Sequence, residues 1–105
     1  MINHITKETY KTEVLDSKVP TLVDFWATWC GPCRMQGRIL EELDKEITQG
    51  QAKLCKVNVD EQQELAAQFG VDTIPTLLFY KDGKITNQAI GVRDKDALKR
   101  LLGIA

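Results

Sequence analysis

The segment that decides the fold is residues 21–33, which read TLVDFWATWCGPC. Residues 21–26 are apolar on both faces except at Asp24, and this pattern is typical of a central strand that is covered on both sides. A Cys-x-x-Cys motif formed by Cys30 and Cys33 follows, at the point where the strand ends and a helix begins. The segment therefore predicts a buried strand that leads directly into a helix carrying two cysteines.

The position of these cysteines predicts thiol chemistry. Unpaired backbone N–H groups and the positive dipole end of a helix N-terminus favour a thiolate, so we expect Cys30 to be the activated nucleophile. Cys33 lies in the first helical turn, close enough to form a disulfide with Cys30 and to resolve a mixed disulfide by attacking it. Pro32 suits an early helical position, because its missing N–H would have no partner there.

The alternative use of this motif is half of a zinc site. Structural zinc takes four ligands, and beyond the cysteine pair only Cys55 and His4 offer a thiolate or an imidazole. Neither has a second partner at ligand spacing. We therefore predict no metal site and interpret the pair as redox-active.

The rest of the chain alternates between strand and helix patterns. Asp82-Gly83 is a strong hairpin signal near the end of the chain. We predict an α/β sheet with helices on both faces, in the order β-α-β-α-β-α-β-β-α. The predicted strands are 2–5, 21–26, 52–58, 76–80 and 85–90. Of the four predicted helices, the first is capped by Thr6, the third covers 62–69 and the fourth lies at the C-terminus. The second helix follows the cysteines and ends near Gln49-Gly50, and its apolar face consists of Met35, Ile39, Leu40, Leu43 and Ile47.

Length and charge restrict the class of protein. A chain of 105 residues suits one domain, 1–105, and the 14 Lys+Arg against 15 Asp+Glu create no net field for nucleic acid or an acidic membrane. No apolar run approaches the roughly 20 residues that span a bilayer. With Met1 as the start there is no secretory signal, so we expect a cytoplasmic protein.

Residues 23–33 resemble the active-site segment of the thioredoxin family. The resemblance covers nearly the whole chain and continues, in the family's order and spacing, through residues 56–60, Ile74-Pro75-Thr76, Asp82-Gly83 and Ile90-Gly91. It implies the thioredoxin fold, a central mixed sheet of about five strands flanked by about four helices. It also implies a protein-disulfide reductase in which Cys30 attacks a substrate disulfide and Cys33 releases the reduced product.

The resemblance implies further roles. Asp24 matches a buried aspartate whose pKa is raised by burial and which takes the proton from Cys33; the alternative is a structural Asp. Ile74-Pro75 matches a cis-proline bond beside which the backbone of Ile74 pairs with an extended substrate. The alternative there is a proline at the start of an edge strand. Gly91 matches a glycine that lets a partner approach closely.

The predicted site also includes Trp29, Gly31-Pro32 and Lys56. Trp29 would supply apolar contact to a substrate, whereas we expect Trp26 to be core. Gly31-Pro32 resembles the pair found in reducing family members rather than in oxidases or isomerases. Lys56 could modulate Asp24, although we favour an exposed lysine at a strand edge.

The resemblance also implies an electron source and partners. No Gly-x-Gly-x-x-Gly motif is present, so we expect no bound cofactor besides the Cys30–Cys33 redox disulfide. Electrons would come from an external, flavin-containing, NADPH-dependent thioredoxin reductase, and the substrates would be disulfide-containing proteins. We expect a monomer.

The sequence departs from the family at residues 36–38, where Gln-Gly-Arg replaces a segment that usually ends in a helix-bending proline. Gly37 could permit a bend without proline. Outside the motifs, we interpret Asp72 as a solvated loop residue, with an influence on the thiolate as the alternative. We interpret Cys55 as a buried small hydrophobe and His4 as a surface residue.

Two other functions stay open at this stage. One is a binding module that keeps the fold as a subunit of a larger assembly, with a specialised surface at residues 36–38. The other is a net oxidase in a more oxidising setting.

Overall fold

A computed structural model describes residues 2–48 and 50–104. Within them, one five-stranded sheet is flanked by three α-helices and a short π-helix. The strands are β1 (Ile2–His4), β2 (Thr21–Trp26), β3 (Lys53–Asn58), β4 (Thr76–Lys81) and β5 (Lys84–Ile90); the helices are the π-helix Lys11–Leu15, α1 (Gly31–Glu46), α2 (Gln63–Gln68) and α3 (Lys95–Leu102).

The sheet is mixed, as predicted, and its strand order is β1-β3-β2-β4-β5. β3 is parallel to both β1 and β2, whereas β4 is antiparallel to β2 and β5 is antiparallel to β4. The final hairpin turns at Asp82 and Gly83, whose φ angles of 52° and 78° are the left-handed values that a tight hairpin needs. The predicted α/β fold class is therefore confirmed.

Alternation along the strands separates two apolar clusters, one on each face of the sheet. In β2, Val23 and Phe25 face the cluster that the π-helix and α2 cover, whereas Leu22 faces the cluster under α1 and α3. Asp24 alternates with Val23 and Phe25, so its carboxylate points to the α1 side of the sheet. The cysteine helix thus covers the buried acid.

The structure corrects three expectations about the helices. Met35 is 51% exposed rather than buried, and Gln36 occupies the buried side of α1 instead. The first helix does not begin directly after Thr6, the expected cap. It begins at Lys11, after a turn in which the side chains of Thr6 and Thr9 bond each other's backbone N–H groups. α1 ends at Glu46, earlier than predicted; Gln49 of the predicted end lies outside the described residues.

α1 runs as one continuous helix through the segment where the family usually carries proline. Among the described residues, no helix combines the length and the apolar character needed to cross a membrane.

Candidate functional site

Cys30 and Cys33 form a disulfide at the N-terminus of α1, with their Cα atoms 5.2 Å apart. Cys30 is the N-cap residue, and its Sγ accepts a hydrogen bond from the Cys33 backbone N–H at 3.2 Å. Cys33 is fully buried, whereas Cys30 keeps 6% of its surface exposed. The helix N-terminus therefore stabilises negative charge on the outer of the two sulfurs, as the sequence predicts.

Asp24 lies fully buried one residue before Phe25 on β2. Neither of its carboxylate oxygens has a hydrogen-bond partner among the described residues. Burial raises the pKa of Asp24 to about 7, and the positive charge of Lys56 acts in the opposite direction. The acid thus titrates within the physiological range, where it can both accept and release a proton.

Lys56 is opposite Asp24 in the register of β2 and β3. The expectation of an exposed lysine at a strand edge is wrong, because β3 is an interior strand and Lys56 is partly buried. Its Nζ lies 4.0 Å from the centroid of the Trp26 ring, in a cation–π contact. Trp26 is itself only partly buried, at the margin of the cluster around the disulfide.

The Ile74-Pro75 peptide bond is cis. The carbonyl oxygen of Ile74 lies 3.9 Å from Sγ of Cys30. Pro75 leads into β4, which is an interior strand, so the alternative of a proline at an edge strand is wrong. The structure therefore places this peptide against the outer cysteine.

Gly91 faces Pro75 from the end of β5. Its N–H donates a hydrogen bond to the Pro75 carbonyl oxygen at 2.9 Å, and its φ of +92° is one that L side chains rarely adopt. Ile90 beside it is 50% exposed. The two segments form a continuous rim beside the disulfide, and we call residues 74–75 and 90–93 the active-site rim.

Trp29 stands next to Cys30 with 68% of its surface exposed. Its indole N–H donates a hydrogen bond of 2.8 Å to Asp60 Oδ2, which follows β3. This contact orients an exposed apolar surface beside the outer sulfur. Asp60 was not identified from the sequence, because only the fold brings the end of β3 to Trp29.

Gln36 is the other polar residue that the sequence analysis missed. It is fully buried, its Nε2 donates to the Arg93 carbonyl oxygen at 3.1 Å, and its Oε1 accepts from the Arg93 N–H at 2.7 Å. A signal was present in the sequence: Gln36 falls on the helical stripe that includes Cys33, Leu40 and Leu43. A polar residue on a buried stripe requires a partner.

The remaining candidates lie where the sequence places them. Cys55 is fully buried among apolar side chains on the face opposite Lys56, and burial raises the pKa of its thiol to about 12. Asp72 is exposed in a loop, accepting a hydrogen bond from the Thr73 hydroxyl, and His4 is exposed. Within residues 2–48 and 50–104, no group of three His, Cys, Asp or Glu side chains could hold a metal ion.

A redox-active Cys-x-x-Cys pair at the N-terminus of a helix that packs on this mixed sheet defines a thiol–disulfide oxidoreductase. Comparison with known proteins specifies the family. The thioredoxin family model matches residues 1–103. The chain is 42% identical over 98 residues to the thioredoxin of Rickettsia felis, covering 93% of this chain and 92% of that protein.

Two further relatives agree. Thioredoxin 1 of a Nostoc species is 45% identical over 93% of this chain and 91% of its own length. The thioredoxin of Chlorobaculum thiosulfatiphilum is 43% identical over 90% of this chain and 87% of its own. The chain belongs to the thioredoxin family.

Proposed function

We propose that this protein is a dithiol reductase of protein disulfides in which Cys30 is the nucleophile, Cys33 the resolving thiol and Asp24 the proton acceptor. The observation that carries the proposal is the position of Cys30 Sγ, which accepts the Cys33 N–H at 3.2 Å at the start of α1. That donor and the helix dipole favour the thiolate form.

The reaction has two exchange steps. The Cys30 thiolate attacks one sulfur of a substrate disulfide, which forms a mixed disulfide and releases the first substrate thiolate. Cys33 then gives its proton to Asp24 and attacks Cys30 Sγ, which releases the second substrate thiolate and leaves the Cys30–Cys33 disulfide. An external NADPH-dependent thioredoxin reductase would return the two electrons, and the protein itself would need no bound cofactor.

The active-site rim would hold the substrate. The Ile74 carbonyl, 3.9 Å from Cys30 Sγ, could pair with the backbone of an extended segment that carries the disulfide. Gly91 has no side chain to obstruct that segment, and Trp29, at 68% exposure, offers apolar contact area. We further propose that the chain acts as a single-domain monomer in the cytoplasm, with Gly31-Pro32 favouring reduction and Lys56 modulating Asp24.

The first experiment is insulin reduction by dithiothreitol, followed as turbidity. We expect wild type to accelerate precipitation strongly and both Cys30→Ser and Cys33→Ser to lose that acceleration. Cys55→Ala is the matched control, because it removes the one cysteine outside the pair and should leave activity unchanged. Equal rates for folded wild type and Cys30→Ser would overturn the proposal.

The direction of electron flow needs its own test. Equilibration with glutathione buffers of graded redox poise, followed by alkylation of free thiols, measures how strongly the pair holds its electrons. We expect the Cys30–Cys33 pair to be oxidised by all but the most reducing buffers, as is typical of a reductant. A pair that stays reduced in an oxidising buffer would indicate an oxidase instead.

A further inference from the structure

Gln36 is a polar residue on the buried face of α1, the helix that carries both cysteines. It lies one turn after Cys33, and its side chain is fully shielded from water. A buried amide is costly unless it is hydrogen-bonded, whereas an apolar side chain of similar size would carry no such cost. The glutamine is therefore held there by what it bonds.

Both of its hydrogen bonds go to the backbone of one residue. The Gln36 amide nitrogen and oxygen bond the C=O and the N–H of Arg93 at 3.1 and 2.7 Å. Arg93 follows Gly91 by two residues, and Gly91 in turn bonds Pro75. A continuous set of contacts thus connects the helix that carries both cysteines to the active-site rim.

The side chain of Arg93 folds back along this rim. Its Nη1 donates to the carbonyl oxygens of Ile90 and Val92 at 3.1 and 3.2 Å. A Cβ atom built on Gly91 would lie 3.7 Å from the same nitrogen. The guanidinium therefore lies beside the glycine that the proposed function assigns to substrate approach.

This guanidinium is not neutralised within the described part of the chain. The ion pairs recorded there involve Lys7, Lys11, Lys53, Lys95 and Lys99, and none includes Arg93. Its two recorded hydrogen bonds both leave from Nη1, so N–H donors remain on the other nitrogens. Arg93 is partly buried as a residue, and a guanidinium with spare donors is well suited to a carboxylate.

We infer that Gln36 and Arg93 form a specificity element for substrate segments that carry a carboxylate beside the disulfide. Gln36 is the positioning residue, since it fixes the main chain of Arg93, and the Arg93 guanidinium is the group that contacts the substrate. The inference rests on the proposed function, which places the substrate on this rim. Asp60 and Asp72 belong to the segments beside Trp29 and before Ile74. Asp94, next to Arg93, is the N-cap of α3 and accepts the Ala97 N–H at 2.8 Å. The preference for a carboxylate therefore belongs to the Gly91 end of the bound segment, where the Arg93 guanidinium lies.

The test uses two disulfide peptides that differ only by Glu or Gln next to one cysteine. Wild type should reduce the Glu peptide with a kcat/KM about three- to fivefold higher, the range of a partly exposed ion pair. The preference should decline with added salt, because salt screens such pairs. Arg93→Gln should abolish it, and Arg100→Gln, which removes an exposed arginine from the last turn of α3, should not.

Gln36→Met tests the positioning role, because it keeps the volume of the side chain and removes both hydrogen bonds. We expect this variant to retain kcat and to lose the Glu preference through a higher KM for the Glu peptide. A loss of kcat for both peptides alike would show a merely structural role and overturn the assignment of Gln36.

The other outcomes are equally decisive. A preference that survives Arg93→Gln, or that disappears equally in Arg100→Gln, would overturn the inference, since the cause would then be the overall field of the protein. Equal reduction of the two peptides by wild type would overturn it as well and leave the proposed function intact. Failure of wild type to reduce either peptide would overturn the proposed function itself, and the inference with it.

Discussion

At the residue scale, Asp24 is the proposed proton acceptor of the site. Its carboxylate is fully buried without a hydrogen-bond partner among the described residues, and burial raises its pKa to about 7 against the opposing charge of Lys56. A carboxyl group with this pKa is half ionised near neutral pH. Such a pKa suits the proposed role, in which Asp24 removes a proton from Cys33 in one turnover and loses it before the next.

This predicts a specific pH dependence for resolution of the mixed disulfide. Only ionised Asp24 accepts the proton, so the rate of resolution should rise as pH increases through about 7. In Asp24→Asn the step near pH 7 should disappear and leave only the rise at higher pH that comes from direct ionisation of a thiol, whose ordinary pKa is about 8.5. The rate near pH 7 should fall by about 10²-fold or less, as for the loss of one general base. Quenched-flow measurement of mixed-disulfide decay across pH 5–9, roughly two units either side of that pKa, checks this. An unchanged profile in Asp24→Asn would exclude Asp24 as the acceptor.

The same carboxyl group should make stability depend on pH. Its folded pKa of about 7 lies above the ordinary value of 3.8, so the folded state holds the proton more tightly than the unfolded chain. Stability from this group is fully present below pH 3.8 and is lost as pH rises through about 7. The loss is on the order of 4 kcal/mol. Urea unfolding at a series of pH values should show this decline in wild type, and the decline should be absent from Asp24→Asn; parallel profiles would contradict it.

At the scale of elements, α1 has two roles. Its first turn presents the cysteines, and its buried stripe continues through Gln36, Leu40 and Leu43 to pack against the sheet. Gly37 adds nothing to that packing and weakens the helix relative to alanine. A Cβ there would lie 3.4 Å from the Nζ of Lys56, the far end of a flexible side chain.

Gly37→Ala should therefore stabilise the protein by about 0.5–1 kcal/mol, through helix propensity. Gly103→Ala is the matched control at a helix end, where φ is +76° and a Cβ would contact nothing within 4 Å. That substitution should destabilise by about 1 kcal/mol, because the left-handed conformation disfavours a Cβ. Denaturant unfolding measures the change in the free energy of unfolding for each variant. Two changes of the same sign would contradict the argument.

At the scale of the whole molecule, both apolar clusters share one sheet. Leu77 and Leu78 are adjacent on β4, yet the first belongs to the cluster under α1 and α3 and the second to the cluster under the π-helix and α2. Because β4 is common to both clusters, neither can lose its packing without disturbing the other. We therefore propose that residues 1–105 unfold as one cooperative unit.

Leu77→Ala and Leu78→Ala test that proposal. Each should cost about 2–5 kcal/mol, the range for burial lost with a cavity left behind. In each variant, circular dichroism and tryptophan fluorescence should report the same single unfolding transition, shifted toward lower stability. Ile85→Ala, at a position 47% exposed on β5, should cost less than about 1 kcal/mol. Transitions that separate between the two probes would show that the clusters unfold independently.

The sequence by itself determined the order of elements, the turn at Asp82-Gly83 and the place of the cysteines at a strand–helix junction. These features depend on neighbours in the chain: alternation in β2, helical spacing in α1 and backbone preferences at turns. The same local reasoning predicted that Cys55 is buried, and the buried stripe of α1 contained the signal for Gln36. It failed at Met35, because apolar character alone did not distinguish the two sides of the helix.

Only the tertiary structure decided which distant residues meet at the site. Lys56 lies over Trp26 because β3 pairs with β2. Gln36 bonds Arg93 57 residues away, and Gly91 bonds Pro75 where β5 ends beside the start of β4. The cis form of the Ile74-Pro75 bond is likewise a property of the folded chain. The physical reason is that burial and hydrogen-bond partners depend on how elements pack, and no local pattern carries that information across such separations.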